Sequence, residues 1–265
     1  MPKQRIGDIF IYNEVHGDGP QTLVMIHGLT LHSGVFREQT PEFAREFRTV
    51  LFDNRGAGRT DKPDEPYSMR QLAADTAALL NVLQIRRAAV LGISMGGMIA
   101  QEFALNYPER LSCLVLACTH FGGKSAIESA PEIRAAMAAG AAATPEQRQL
   151  QLKAAFSDET IAGRPDVIEK VNEIRTTYPM PPFALTRRMQ ALAGHDTAER
   201  LKTIEVPTLV MTGREDRLVP PANAQMIAER IPGAVLKELP GGHVFFIEHP
   251  ELFNPLVTEF IKAHP

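Results

Sequence analysis

The hexapeptide Gly92-Ile93-Ser94-Met95-Gly96-Gly97 constrains this chain more than any other stretch. It stands between an unbroken apolar run at 88–93 and a helical pattern over 95–107 that stops before Pro108. A strand that turns into a helix within so few residues brings the side chains two before and two after the turn into collision. Glycine at both positions removes the Cβ that would clash. The serine between them projects from the carboxyl end of the strand on a strained backbone. The helix beginning there points its free N–H groups and its positive end at any oxyanion formed beside the serine. In strand–turn–helix context the pattern reads as a nucleophile; alone, it also describes a glycine-rich turn with an incidental serine.

The rest of the chain supplies that context. Up to about residue 118, short apolar runs alternate with helical patterns. Residues 9–12, 22–26, 49–52, 88–93 and 114–117 read as strands, the later ones without polar alternation, as in strands buried on both faces. Residues 68–83 read as a helix with Ser68 as its N-cap and Leu72, Leu79, Leu80 and Leu83 near one stripe. A second block starts at Val206, with strands at 208–212 and 234–239 and helices at 220–231 and 251–263. Strands alternating with helices imply a parallel sheet covered on both faces. Between Thr119 and Glu205 no strand is legible. Thr144-Pro-Glu, Ser157-Asp-Glu and Arg164-Pro-Asp each read as a helix start. That segment is far longer than a βα crossover needs. The expectation is a core domain of residues 1–118 and 206–265 carrying a helical cap insertion of residues 119–205.

Bulk composition excludes several classes. Apolar residues make up 44% and charged residues 22%, as in an ordinary globular protein, and the formal net charge is −3. Nothing in that balance calls for nucleic acid or a membrane surface. No apolar stretch reaches the roughly 18 residues of a membrane span, and the alanine-rich run at 135–143 is too short. The amino terminus, Met-Pro-Lys-Gln-Arg, leads into no apolar segment, so no cleaved leader is expected. The two cysteines, Cys113 and Cys118, are oddly spaced in one run, which predicts opposite faces of a strand and reduced thiols in a cytoplasmic protein. A monomer or small homo-oligomer is expected.

A serine hydroxyl needs a base within reach. Of the eight histidines, His243 stands apart. It follows Pro240-Gly241-Gly242 between the last strand and the last helix, at the sheet edge where open α/β sheets place functional groups. His16 and His264 read as surface residues, His249 as the start of the last helix, and His195 as a helix end. His32 and His120 read as pocket-lining or loop residues. The base in turn needs a carboxylate to hold its tautomer. Gly213-Arg214-Glu215-Asp216 follows the strand at 208–212 at the same edge, and Asp216 is the partner expected, with Glu215 pointing the other way. The order Ser94, Asp216, His243 is that of the nucleophile-elbow enzymes. Oxyanion donors are expected from the backbone N–H groups of Met95 and of Leu29, in the loop His27-Gly28-Leu29. Gly28 allows close approach there, and His27 is read as structural.

Together these residues resemble the α/β-hydrolase superfamily, over the whole chain: His27-Gly28, the loop from Asp53 to Asp61, the Ser94 elbow, the Gly213–Asp216 turn and Gly242-His243. The resemblance implies a mostly parallel eight-stranded sheet with helices on both faces and a helical cap inserted after strand 6. The Asp53–Asp61 loop corresponds to a structural loop of the family. Gly-Ile-Ser-Met-Gly-Gly is most similar to the group holding 3-oxoadipate enol-lactonases, carboxylesterases, acyl-homoserine lactonases, C–C bond hydrolases and cofactor-free perhydrolases. The implied activity is cleavage of carboxylic esters or lactones of small soluble substrates through an acyl-enzyme, with no metal or organic cofactor. C–C hydrolysis or perhydrolysis on the same triad, and a non-catalytic ligand receptor, are the alternatives. The serine at the elbow disfavours the dehalogenase and epoxide hydrolase branches, which carry an aspartate nucleophile. Within the insertion, Phe121, Met137, Phe156, Met180, Phe183, Met189 and Leu192 read as pocket lining or cap core. Arg187-Arg188 reads as a solvated helix face or a site for a substrate carboxylate.

Overall fold

The computed structural model describes residues 3–265. Met1 and Pro2, where the reading of the amino terminus begins, lie outside the described residues, as does the Ala141 side chain within the alanine-rich run.

Among the described residues, eight strands form one sheet: β1 (Lys3–Ile6), β2 (Ile9–His16), β3 (Thr22–Ile26), β4 (Arg48–Phe52), β5 (Ala88–Ile93), β6 (Leu111–Ala117), β7 (Thr208–Gly213) and β8 (Val235–Leu239). Their order is β1-β2-β4-β3-β5-β6-β7-β8. The first two pairings are antiparallel and the remainder parallel. This is the mostly parallel sheet the sequence implied. The β1 segment, Lys-Gln-Arg-Ile, has no apolar signature; it is a strand because it pairs with β2 at the sheet edge.

Alternation along the strands divides the core in two. Val24, Ile26, Val90, Leu114, Leu116 and Val210 face one side, where they meet Leu72 and Leu80 of α2 (Met69–Val82), Ile99 and Phe103 of α3 (Met95–Asn106) and Ile227 of α9 (Ala222–Arg230). Leu23, Met25, Leu91, Ile93, Val115 and Met211 face the other, against Phe43 of α1 (Thr40–Phe43), Phe245 of α10 (Phe245–Glu248) and Phe253 and Val257 of α11 (Pro250–Ala263). Each such side chain contributes about 1.5–3 kcal/mol on burial. Every residue of β5, β6 and β7 is buried, which explains their lack of polar alternation. Ser68 caps α2, its hydroxyl accepting the Gln71 N–H at 3.0 Å.

Between β6 and β7, among the described residues, lie α4 (Pro131–Ala139), α5 (Pro145–Ala155), α6 (Asp158–Gly163), α7 (Pro165–Thr177) and α8 (Pro182–Ala193), and no strand of the sheet. Thr144 and Gln147 form a reciprocal capping box on α5, Ser157 caps α6, and Pro165 opens α7. The starts of α4 and α8, each a proline without a side-chain cap, were not among those expected. The two ends of this helical segment meet at a bridge between Gly122 and Asp196. Gly123 donates to the His195 carbonyl and Thr197 to that of Phe121.

The cysteines depart from expectation. Both are free and buried, but Cys113 and Cys118 lie in the same half of the core. Cys118 sits one residue past β6 with φ +43°, so strand alternation no longer governs where it points.

One buried ion cluster ties the outer part of the sheet to α2. Arg55 donates to Asp75 at 2.8 Å and reaches Asp8 and Glu65 at 3.1 and 3.3 Å. Arg55 and Asp75 are 4% and 5% exposed, whereas Asp8 is 63% exposed. Removing one partner of the buried pair strands the other charge away from water. Asp75→Ala is therefore expected to lower the unfolding free energy by about 3–5 kcal/mol. Asp8→Ala should lower it by less than about 1 kcal/mol. Urea titration of both variants checks the contrast; equal losses would mean the buried pair is not the dominant member of the cluster.

Candidate active site

Ser94 occupies the turn between β5 and α3 with φ +55° and ψ −123°, a conformation that side-chain-bearing residues rarely adopt. A Cβ at Gly92 would run into the carbonyl oxygen of Gly96, and one at Gly96 into that of Ile26 at the end of β3. The turn is closed by backbone and side-chain bonds. Ser94 N–H donates to Ala117 at 2.9 Å, and its carbonyl accepts from Gly97 N–H at 2.9 Å and from the Thr119 hydroxyl at 2.7 Å.

The structure brings the three expected side chains together. His243 Nε2 lies 3.0 Å from Ser94 Oγ, and His243 Nδ1 lies 2.8 Å from Asp216 Oδ2. Asp216 is buried, and its other oxygen accepts the N–H groups of Leu218 and Val219 at 3.0 and 2.7 Å, so the carboxylate is held from both ends. Glu215 points elsewhere, accepting from Asp158 N–H at 3.1 Å. The His243 loop is braced from the helical segment. Val244 N–H donates to the Ala155 carbonyl at 3.0 Å. Fully buried Glu248 accepts from Ser157 N–H and hydroxyl on one oxygen and from Gly242 N–H on the other. Cys118 is near the site, but burial and the Asp216 carboxylate push its thiol well above the usual value, so it stays neutral.

The His27-Gly28-Leu29 loop passes directly over the serine. A Cβ on Gly28 would lie 3.2 Å from Ser94 Cβ. Among the described residues, neither the Leu29 nor the Met95 backbone N–H has a protein acceptor. His27 is fully buried and accepts the Asn54 N–H on Nε2 at 2.9 Å, which leaves Nδ1–H to donate to the Gly28 carbonyl at 2.8 Å. Burial and the neighbouring Arg188 push its ring down to about 3. Asp53, also fully buried, accepts from Ser33 N–H and from Arg59, organising the Asp53–Asp61 loop.

Several expectations require correction. Arg187 is on the surface with Asp64, but Arg188 is fully buried and donates to the carbonyls of Leu29, Arg55 and Gly28. The signal for this was present: Ala184, Arg188 and Ala191 form one buried stripe at helical spacing on α8. Met137, Phe183 and Met189 are exposed and not part of a cap core, whereas Phe121 and Phe156 are buried. The Thr119 bond to the elbow carbonyl had no local sequence signal, because it joins the ends of two strands distant in the chain. His32 is buried, its Nε2–H donating to the Ile174 carbonyl at 2.9 Å. His120 accepts Gly122 N–H on Nδ1, and burial together with His243 pushes it to about 4. His195 follows α8 as expected but is buried with both ring nitrogens unpartnered among the described residues, and burial pushes it to about 4. Among the described residues no helix is long and apolar enough to cross a membrane, and no three His, Cys, Asp or Glu side chains gather as a metal ligand set.

A parallel-sheet core with a serine elbow, a histidine and a buried carboxylate at one edge defines the class, and comparison with known proteins agrees. The model of the alpha/beta hydrolase fold family matches residues 21–250. The chain belongs to that family and is a hydrolase of small substrates. A protein from Caulobacter sp. (strain K31) with the provisional name carbamate hydrolase RutD is 34% identical over 96% of both chains. The 3-oxoadipate enol-lactonase 2 of Acinetobacter baylyi is 30% identical over 91% of this chain and 88% of its own. The solved structure of Est816, an N-acyl homoserine lactone degrading enzyme, superposes with a TM-score of 0.86 at 30% identity, covering 98% of this chain and 100% of its own.

The depressed histidines carry a consequence for stability. His27, His120 and His195 take up protons near pH 6.5 in the unfolded chain but only near 3 to 4 in the folded one. Between those limits the unfolded state binds more protons, so stability is full above pH 6.5 and is lost as pH falls toward 4. Each ring contributes a slope of up to ~1.4 kcal/mol per pH unit. Urea titrations at about pH 7 and about pH 5 should show this fall; a flat profile would mean that the rings are protonated within the fold.

Proposed function

We propose that this protein is a serine hydrolase that cleaves carboxylic esters or lactones of small substrates through an acyl-enzyme. The observation that carries the reading is the continuous hydrogen-bonded line from Ser94 Oγ through His243 to Asp216, at 3.0 and 2.8 Å. In the working tautomer His243 Nδ1–H donates to Asp216, and Nε2 accepts the Ser94 hydroxyl proton as its oxygen attacks the substrate carbonyl. The tetrahedral oxyanion is held by the Leu29 and Met95 N–H groups, both without a protein acceptor among the described residues. His243 then protonates the leaving alkoxide, and water, deprotonated by His243, attacks the acyl-enzyme carbonyl in the same manner to release the acid and restore Ser94. Every group in this cycle belongs to the chain, and the scheme uses no cofactor.

In this reading residues 119–205 act as a cap domain on a core of residues 1–118 and 206–265. The bridge at Gly122 and Asp196 supports that division. A cytoplasmic location is supported by the free, buried thiols of Cys113 and Cys118. A carbamate is a second substrate class for the same cycle, since its carbonyl forms the same tetrahedral intermediate. The identity to the RutD-named protein favours it.

The test is turnover of p-nitrophenyl esters of graded chain length, of several lactones and of simple carbamates, each beside Ser94→Ala. Ser94→Ala should abolish turnover, and the preferred panel member assigns the substrate class. Asp216→Asn should lower kcat by roughly 10⁴. A fall of less than about tenfold would remove Asp216 from the role of orienting acid. A folded protein inert toward every compound would sink the reading.

A further inference from the structure

The carbonyl of Gly28 and the N–H of Leu29 belong to one peptide unit. That unit is trans, as are the others among the described residues, so the two groups point in opposite directions. Whatever grips the Gly28 carbonyl therefore aims the Leu29 N–H. Two donors grip it from different parts of the molecule. His27 Nδ1–H donates from the end of β3 at 2.8 Å, and Arg188 Nη2 donates from α8 at 3.0 Å. Arg188 also takes the next carbonyl, that of Leu29, through Nε at 3.1 Å, and anchors on the Arg55 carbonyl through Nη1 at 3.0 Å. The planar guanidinium suits this task, because its fixed fork spans three acceptors at once.

The placement is unusual in energetic terms. Arg188 is fully buried, and its three hydrogen-bond partners are main-chain carbonyls. Burial pushes the guanidinium down to about 10, so it remains charged at neutral pH. Holding α8 against the core needs no charge, since well-packed apolar side chains replace buried ionic groups with little loss and often with gain. What a cation adds here is polarisation. A charged donor on the carbonyl of an amide strengthens the N–H at its other end. Gly28, which carries this carbonyl, passes so close to the serine that a Cβ on it would lie 3.2 Å from Ser94 Cβ and 3.6 Å from Ser94 Oγ.

We propose that Arg188 is a positioning residue for the oxyanion hole. From α8, and together with His27, it locks the Gly28–Leu29 peptide with its N–H turned toward the reacting carbonyl and strengthens that N–H as a donor. The inference rests on the serine-hydrolase reading given above. It makes transition-state stabilisation in the core depend on the seating of a helix from the insertion.

The experiment uses the full chain, the p-nitrophenyl ester turned over fastest, and a trifluoromethyl ketone that adds reversibly to Ser94. In Arg188→Met, which keeps much of the volume, kcat should fall by about 10²-fold, the scale of a lost oxyanion donor, while KM stays within about threefold of wild type. Affinity for the trifluoromethyl ketone, which forms an oxyanion, should fall in parallel with kcat/KM. Guanidinium ion added to Arg188→Ala should restore part of kcat, a rescue that a packing role would not give. Arg188→Lys serves where the methionine variant does not fold; it should also lose kcat, because one ammonium cannot span three carbonyls. Wild-type kcat in either folded variant would overturn the inference. So would a rise in KM alone, which would make Arg188 a substrate-binding group. Ser94→Ala run alongside separates the two readings: turnover that survives it overturns the serine mechanism itself, whereas loss in Ser94→Ala with full kcat in Arg188→Met overturns only the role of Arg188.

Discussion

Where β5 turns into α3, the chain passes so close to itself and to the end of β3 that only hydrogen fits at Gly92 and Gly96. The remaining geometry of the site is built around that approach. It holds Ser94 at φ +55°, a conformation costing on the order of 1–3 kcal/mol. Parallel pairing sustains it: Ile26 lies opposite Gly92, and Ile93 opposite Ala117, so β3 and β6 flank the elbow and cannot relax away. The same register brings the carboxyl ends of β3, β5, β6, β7 and β8 to one edge. From that edge the chain delivers Gly28, Ser94, Thr119, Asp216 and His243. The strain in one residue is thus maintained by the hydrogen-bond ladder of a whole sheet.

Much of this was legible in the sequence because it is local. A glycine-flanked serine after an apolar run, a Gly-Gly-His after another and an acidic turn after a third each announce themselves within a few residues. Strands buried on both faces advertise themselves by losing alternation, as β5, β6 and β7 do. What was not legible depends on partners far along the chain. The β1 strand has a polar sequence and exists through its pairing with β2. Arg188 read as a solvated helix face or a carboxylate site because arginine is seldom fully buried, although its helical neighbours Ala184 and Ala191 marked the inward face. Cys118 was expected to face away from Cys113 because nothing local reveals the positive φ that follows the strand end at Ala117.

The helical segment reaches the reactive edge through two separate contacts. On one side, α8 supplies Arg188 to the carbonyls of the Gly28–Leu29 loop. On the other, the junction of α5 and α6 meets Glu248, which also holds Gly242 beside the histidine. Both contacts are buried and polar, and beside them the segment satisfies backbone groups left unpaired at the sheet's edge: Arg188 pairs the Gly28 and Leu29 carbonyls, and the Ala155 carbonyl accepts the Val244 N–H. The segment therefore completes the hydrogen bonding of the core instead of merely resting on it.

The bridge between Gly122 and Asp196 gives this segment a seam. Chain leaves the sheet and returns to it at adjacent points, so the closure entropy of everything in between is met locally and grows only slowly with length. Helices can be gained, lost or exchanged beyond that seam without shifting the register of any strand. Strand register is thereby insulated from the length of the insertion, whereas the edge that carries Ser94 is not, because it borrows Arg188 and the Ala155 carbonyl from it.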